Sequence, residues 1–187
     1  MRIIGGYFKG RKIFEPIDKS TRPLKDLVRE SIFNILEHSK NHLINFEKTY
    51  VLDLFSGTGS FGLECLSRGA KEVVFFENYH KSIKVLESNI NKLNLQKKTI
   101  VIKENAYELK KFNLESKKFD LVFLDPPFKD KNIYKLIEEI KKTKIYNNKT
   151  IFILHRNKKF KENTPDILEV LAEKNYGLSK IIFFKIN

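Results

Sequence analysis

Apolar and polar positions along the chain follow two rhythms. Runs in which nearly every position is apolar occur at 72–77, 119–124 and 150–154, centred on Val73-Val74-Phe75-Phe76, Leu121-Val122-Phe123-Leu124 and Ile151-Phe152-Ile153-Leu154. Such runs predict strands covered on both faces. Segments 49–54 and 99–103 predict two more. Between them, apolar residues recur every three or four positions, predicting helices over 60–68, 80–94 and 131–143, with a short one after Asn105. Strands alternating with helices imply right-handed crossovers and a parallel sheet. The end of the chain differs: 167–176 and 179–186 flank Gly177 and predict an antiparallel hairpin, although Ile167, Leu168 and Leu171 also have helical spacing. Near the start, Leu24, Leu27, Val28, Ile32, Phe33, Ile35 and Leu36 share one helix face. Pro23 sits at its first turn, where a missing N–H costs nothing. Arg29 and Glu30 are expected to point away from that face.

The 187 residues suffice for one α/β domain with a small appendage. The pattern divides into a basic arm and helix over 1–45 and an α/β domain over 46–187. Hydrophobic residues make up 41% and charged residues 32%, which excludes wholesale disorder. The formal charge of +13 favours a polyanionic partner, nucleic acid first among them. Most of that charge is lysine and could follow from composition alone, so the placement of arginine says more. Arg2, Arg11, Arg22 and Arg29 are four of only six arginines, and they fall in the first thirty residues beside Lys9, Lys12, Lys19 and Lys25. Arginine suits bidentate phosphate contacts, so this segment is expected to face RNA. Cys65 is the only cysteine, which excludes an intramolecular disulfide. The four histidines lack ligand spacing, and no metal site is expected. No apolar run reaches the length of a membrane span and no signal peptide is evident, so a cytoplasmic protein is expected.

Two strand exits carry candidate chemistry. The first is Asp53-Leu54-Phe55-Ser56-Gly57-Thr58-Gly59-Ser60-Phe61-Gly62, which contains G-x-G-x-x-G, with Glu77 ending the next strand twenty residues after Gly57. Glycines let backbone approach a ligand closely, and the acid can accept ribose hydroxyls. This much fits nicotinamide, flavin and S-adenosylmethionine sites alike. Asp53 separates them: it would repel a pyrophosphate and attract the ammonium and sulfonium of S-adenosylmethionine. Phe55, Gly57, Gly59, Glu77 and Asn78 therefore join Asp53 as expected cofactor-binding residues. Asn105-Ala106, leaving the third strand, is expected to receive an adenine amino group through the Asn105 carbonyl. The competing role for Asn105 is a helix N-cap.

The second exit is Asp125-Pro126-Pro127-Phe128, directly after an apolar strand. A carboxylate, a rigid corner and an aromatic ring in four residues suit the holding of a flat, amine-bearing base. Asp125 and the Pro126 carbonyl can accept the two N–H groups of an exocyclic amine, while Phe128 stacks on the ring. These three are the expected catalytic residues. Positive charge developing on the amine would be stabilised by Asp125.

Further segments occur in order: Arg2-Ile3-Ile4-Gly5-Gly6, Lys9-Gly10-Arg11, Thr21-Arg22-Pro23, Val28-Arg29-Glu30, Phe33-Asn34-Ile35-Leu36, Leu66-Ser67-Arg68-Gly69-Ala70 and Tyr176-Gly177. With the two strand exits they resemble the RsmD family of bacterial 16S ribosomal RNA guanine-N2 methyltransferases over nearly the whole chain. The resemblance implies a Rossmann-like class I methyltransferase fold with a mostly parallel seven-stranded sheet. It implies S-adenosylmethionine as donor, S-adenosylhomocysteine as product, and a guanine amino group of the small ribosomal subunit's RNA, free or in the particle, as acceptor. Arg22 and Arg29 match family positions expected to contact substrate or shape its pocket. Three positions depart from the usual pattern: Phe128 stands where Tyr is common, Leu24 where Thr is frequent, and His155-Arg156 where an acid is expected.

Other classes make different demands. A DNA amino-methyltransferase shares the Asp-Pro-Pro-aromatic logic but normally needs a target-reading domain. Asp53 and Asp125–Phe128 disfavour a nicotinamide oxidoreductase, and a non-catalytic ribosome-assembly protein would not need Asp125. Nothing in the sequence demands more than a monomer.

Overall fold

Seven strands form a single sheet in the order β3-β2-β1-β4-β5-β7-β6. They are β1 (Tyr50–Leu54), β2 (Glu72–Phe76), β3 (Thr99–Ile102), β4 (Leu121–Leu124), β5 (Ile151–Asn157), β6 (Leu168–Tyr176) and β7 (Ser179–Ile186). The computed structural model describes residues 1–18, 24–38, 44–114, 118–159 and 164–187. The first five strands run parallel, whereas β7 is antiparallel to both β5 and β6. Among the described residues the α-helices are α1 (Asp26–His38), α2 (Ser60–Ser67), α3 (His80–Lys92) and α4 (Ile133–Lys141). The short helix expected after Asn105 is a 3-10 turn at Ala106–Lys111. The 167–176 segment is a strand from Leu168 onward, which settles its ambiguous spacing.

Alternate residues of each buried strand feed two cores. Val51, Val73, Phe75, Leu121, Phe123, Ile153 and Phe183 pack with α1, α2, α3 and the N-terminal segment. Leu52, Val74, Phe76, Val122, Leu124, Phe152 and Phe184 pack with α4 and the Ala106–Lys111 turn. A side-chain period of two sends each strand's residues to both layers, which is why its sequence is apolar throughout. On the first face, the Phe61 and Phe123 rings stack at 4.0 Å and Phe33 lies 5.3 Å from Phe61, joining α1, α2 and β4. Each such pair contributes about 0.5–1.5 kcal/mol beyond burial.

The N-terminal segment folds back on itself through an Arg2–Lys12 bridge, with Ile3 and Ile13 buried. It is fastened to the body by side chains from two helices. Glu64 of α2 accepts the amides of Ile4 and Gly5 at 2.8 and 2.7 Å, and Ser67 Oγ donates to the Gly5 carbonyl at 2.6 Å. Asn89 of α3 accepts from the Phe14 amide at 2.7 Å and donates to the Phe14 carbonyl and to the Thr58 carbonyl.

One expectation about α1 is corrected. Arg29 is fully buried, whereas Leu27 is 67% exposed. The Arg29 guanidinium donates to the Arg2 carbonyl and to Asp26, and lies 3.9 Å from the buried Glu64 carboxylate. A partner acid on another element allows a charged side chain to take an interior position that apolar periodicity alone assigns to the surface. Pro23, expected at the first turn, lies outside the described residues; the helix they show begins at Asp26.

Candidate active site

The parallel register brings three strand ends level. Leu54 pairs with Phe76 and with Leu124, so Phe55, Glu77 and Asp125 each stand one residue past a C-terminal strand end. Strand order reverses between β1 and β4, the place where open α/β sheets form a ligand crevice. A cavity of about 500 Å³ opens there, within the usual range of about 300–1,000 Å³ for small-molecule sites.

At the glycine loop the chain bends sharply. Phe55, Gly57 and Gly59 have φ of 60°, 55° and 80°. Phe55 holds a conformation that side chains rarely adopt, as happens where surrounding structure fixes a functional loop. Gly59 caps α2, and a Cβ there would lie 2.3 Å from Leu86 Cδ1. The Glu77 carboxylate ties the loop down, accepting from the Gly57 amide at 2.7 Å and from the amides of Asn78 and Tyr79. Of the residues expected to bind the cofactor, Phe55, Gly57, Glu77, Asn78 and Ala106 face the cavity.

Asp53, Gly59 and Asn105 do not line the cavity. Asp53 is buried, with Oδ2 accepting from the Gly62 amide at 3.0 Å and Oδ1 without a hydrogen-bond partner among the described residues. Burial pushes its carboxyl well above the usual range, opposed by the Gly62 bond and reinforced by Asp125 and Glu77. Asn105 is exposed and caps the following turn, accepting from the Tyr107 amide at 3.1 Å. That is the capping role.

These features fit S-adenosylmethionine. A buried carboxylate with one oxygen to spare lies under the loop where a cationic group is wanted, and Glu77 faces the cavity where hydroxyls would sit. Phe55, Phe76 and Ala106 offer apolar surface for a base.

At the other end, Asp125, Pro126, Pro127 and Phe128 all line the same cavity. Asp130 holds this loop in place. It accepts from the Tyr107 hydroxyl at 2.8 Å with both carboxylate oxygens, and its carbonyl accepts from Arg156 at 2.7 Å. Burial and the Asp130 carboxylate together raise the Tyr107 hydroxyl's pKa, so it stays a donor. The strand expected to end at 154 continues through His155-Arg156-Asn157, because these residues pair with Ile181, Lys180 and Ser179 of β7. His155 thereby reaches the cavity. Its Nδ1 is 2.7 Å from Asp125 Oδ1 and its Nε2 is 2.9 Å from Ser179 Oγ.

The rest of the wall comes from outside the two strand exits. Leu24 and Lys25 precede α1, Tyr79 precedes α3, and Tyr176, Leu178 and Ser179 come from the β6–β7 turn. Tyr176 hydrogen-bonds Ser31 of α1, and Tyr79 donates to Asp18 at 2.7 Å. The spacing of the two strand exits carries no sign of these residues, although Leu24 and Tyr176 belong to segments that carry the family resemblance; each is brought in by packing of a distant element. Of the expected RNA contacts, Arg2, Lys9, Arg11 and Lys12 are exposed on the N-terminal segment. Arg22 lies outside the described residues. Arg29, being buried and bonded to protein groups, presents no guanidinium to a phosphate.

The sheet order, the glycine loop and the Asp-Pro-Pro-Phe exit define a class I methyltransferase fold. A family model described as conserved hypothetical protein 95 matches residues 1–185. A Bacillus subtilis relative named as an rRNA methyltransferase, YlbH, is 30% identical over 99% of this chain and 98% of its own length. The ribosomal RNA small subunit methyltransferase D of Haemophilus influenzae is 31% identical over 95% of this chain and 90% of its own. The solved structure of an Escherichia coli methyltransferase, yhhF, superposes with a TM-score of 0.82 at 26% identity, covering 100% of this chain and 98% of that one. The chain belongs to the RsmD family.

Proposed function

We propose that this protein transfers a methyl group from S-adenosylmethionine to the N2 amine of a guanine in 16S ribosomal RNA of the small subunit. The observation that carries this reading is that the Glu77–Gly57 end and the Asp125–Phe128 end open into one cavity. Family membership and relatives named for small-subunit ribosomal RNA support the acceptor.

Phe128 and the Pro-Pro corner hold a base drawn out of its stack, while Asp125 and the Pro126 carbonyl accept the two amine hydrogens. Positioning of this kind supplies on the order of 7–11 kcal/mol of a barrier. When bound, S-adenosylmethionine supplies the methyl carbon: the N–C bond forms as the C–S bond breaks, and the electron pair leaves on sulfur. Asp125 stabilises the charge growing on nitrogen and takes the amine proton. Glu77 receives ribose hydroxyls, sharing or releasing one of its three amide bonds. Asp53 favours the donor's positive end through the loop rather than by contact. Arg2, Lys9, Arg11 and Lys12 engage phosphates.

The test is transfer of label from S-adenosylmethionine to undermethylated small subunits, wild type beside Asp125→Ala, followed by nucleoside analysis. N2-methylguanosine that disappears in the variant supports the proposal. Label in another nucleoside would overturn the acceptor, and tight donor binding without any transfer would favour an assembly role.

A further inference from the structure

From the chain Asp125–His155–Ser179 we infer that His155 is a positioning residue for methyl transfer, holding Asp125 Oδ1 so that Oδ2 is the oxygen offered to the substrate amine. The inference rests on the methyl-transfer reading above and concerns a residue that the motif does not contain.

A carboxylate only accepts hydrogen bonds, so the 2.7 Å contact requires a proton on His155 Nδ1. In the neutral ring Nε2 is then an acceptor, and the Ser179 hydroxyl donates to it at 2.9 Å. Asp125 thus fixes the tautomer, the Ser179 hydroxyl accommodates it, and the Nδ1 proton occupies Asp125 Oδ1. The imidazole has little freedom to depart from this arrangement. It is 5% exposed, and the Phe128 ring meets it edge to face with centroids 5.4 Å apart. It also stands on β5, paired to Ile181 of β7 and one residue past the last pairing with β4 at Leu154. Asp125, by contrast, begins a loop and is only part-buried. An acid at a loop start has rotamers to choose from; the histidine selects one. Because Phe128 packs on the same imidazole, the base-stacking ring and the amine-accepting oxygen are referenced to a single rigid group.

His155→Asn and His155→Gln separate this role from mere filling of space. The Asn amide nitrogen can replace Nδ1 toward Asp125, whereas the Gln amide nitrogen replaces Nε2 and leaves Asp125 unheld. We expect kcat to fall about 10- to 100-fold in His155→Gln and His155→Leu, with donor affinity and the KM for small subunits unchanged. His155→Asn should recover most of the rate. Ser179→Ala, a milder change that preserves packing, should lower kcat by about fivefold, the loss of one hydrogen bond. Equal losses in the Asn and Gln variants, or an unchanged kcat in His155→Leu, would overturn the inference. A readout independent of turnover is the imidazole 15N spectrum of the free protein. It should report the Nδ1-protonated tautomer, and Asp125→Ala should abolish that preference. An Nε2-protonated ring in the wild type would sink the inference even if methyl transfer is observed. The expected spectrum without any transfer would instead leave the pair intact and remove the function proposed for it.

Discussion

Asp53 Oδ2 accepts the Gly62 amide at 3.0 Å in the interior, and its other oxygen has no partner among the described residues. The raised pKa that burial imposes has two consequences of opposite sign. In the free protein the folded state keeps a proton that the unfolded chain gives up near the usual carboxylate value. Stability from this group is therefore complete below that value and is lost as pH rises toward the raised one. A cation arriving above the loop reverses the preference. We predict that Asp53→Asn removes this downward slope in unfolding free energy, measured by denaturant titration across pH. The same change should weaken S-adenosylmethionine binding by on the order of 10- to 100-fold by calorimetry.

The N-terminal segment and the glycine loop share Asn89. Asn89→Leu would leave the Phe14 amide and the Thr58 carbonyl without this partner, costing about 1–3 kcal/mol. Limited proteolysis should then cut within the first eighteen residues earlier than in the wild type. Donor affinity should fall as well, because Thr58 belongs to the loop that faces the cavity.

Glu64 accepts from Ile4, Gly5 and Arg68 and faces the buried Arg29. Neutralising it in Glu64→Gln leaves a buried guanidinium poorly compensated, and a loss of about 3–5 kcal/mol is expected in thermal or denaturant unfolding.

Burial of Arg29 also separates it from the exposed cations in RNA binding. A stabilised background carrying Arg29→Met should keep the wild-type dependence of RNA affinity on salt. Lys9→Ala or Arg11→Ala should each flatten the logarithmic slope by roughly 0.7–0.9 per phosphate that the missing cation no longer neutralises. Filter binding over a salt series distinguishes the two behaviours.

Phe128 presents an aromatic ring to the cavity without the hydroxyl that Tyr would bring. Phe128→Ala should cost about 1–3 kcal/mol of transition-state binding, read as a fall of about 5- to 150-fold in kcat/KM for small subunits. Phe128→Tyr should stay close to wild type.

The fold is legible in the sequence because its signals are local. Strands covered on both faces, glycines at the β1 exit, a Pro-Pro corner at the β4 exit and a hairpin around Gly177 are written in adjacent residues. The ends of the site are legible for the same reason, since Glu77 and Asp125 immediately follow their strands. Arg29 defeats periodicity because its partner, Glu64, lies on another helix, far along the chain. Asn105 shows its capping role because the donor, the Tyr107 amide, is only two residues away. His155 stands out in the sequence only as a departure from a pattern. Its meaning depends on β5 running three residues past the apolar run, which β7 pairing dictates.

The place of β7 between β5 and β6 affects how the site is made. It is the last strand in chain order, yet β6 can join the sheet only through it, and Ser179, Tyr176 and Leu178 belong to their shared hairpin. During synthesis, the donor loop and the Asp-Pro-Pro-Phe exit can form well before this final wall exists. Chains halted before residue 179 should therefore lack transfer activity even where β1 to β5 have assembled. An unfinished copy, although basic enough to cling to RNA, would have no means of marking it.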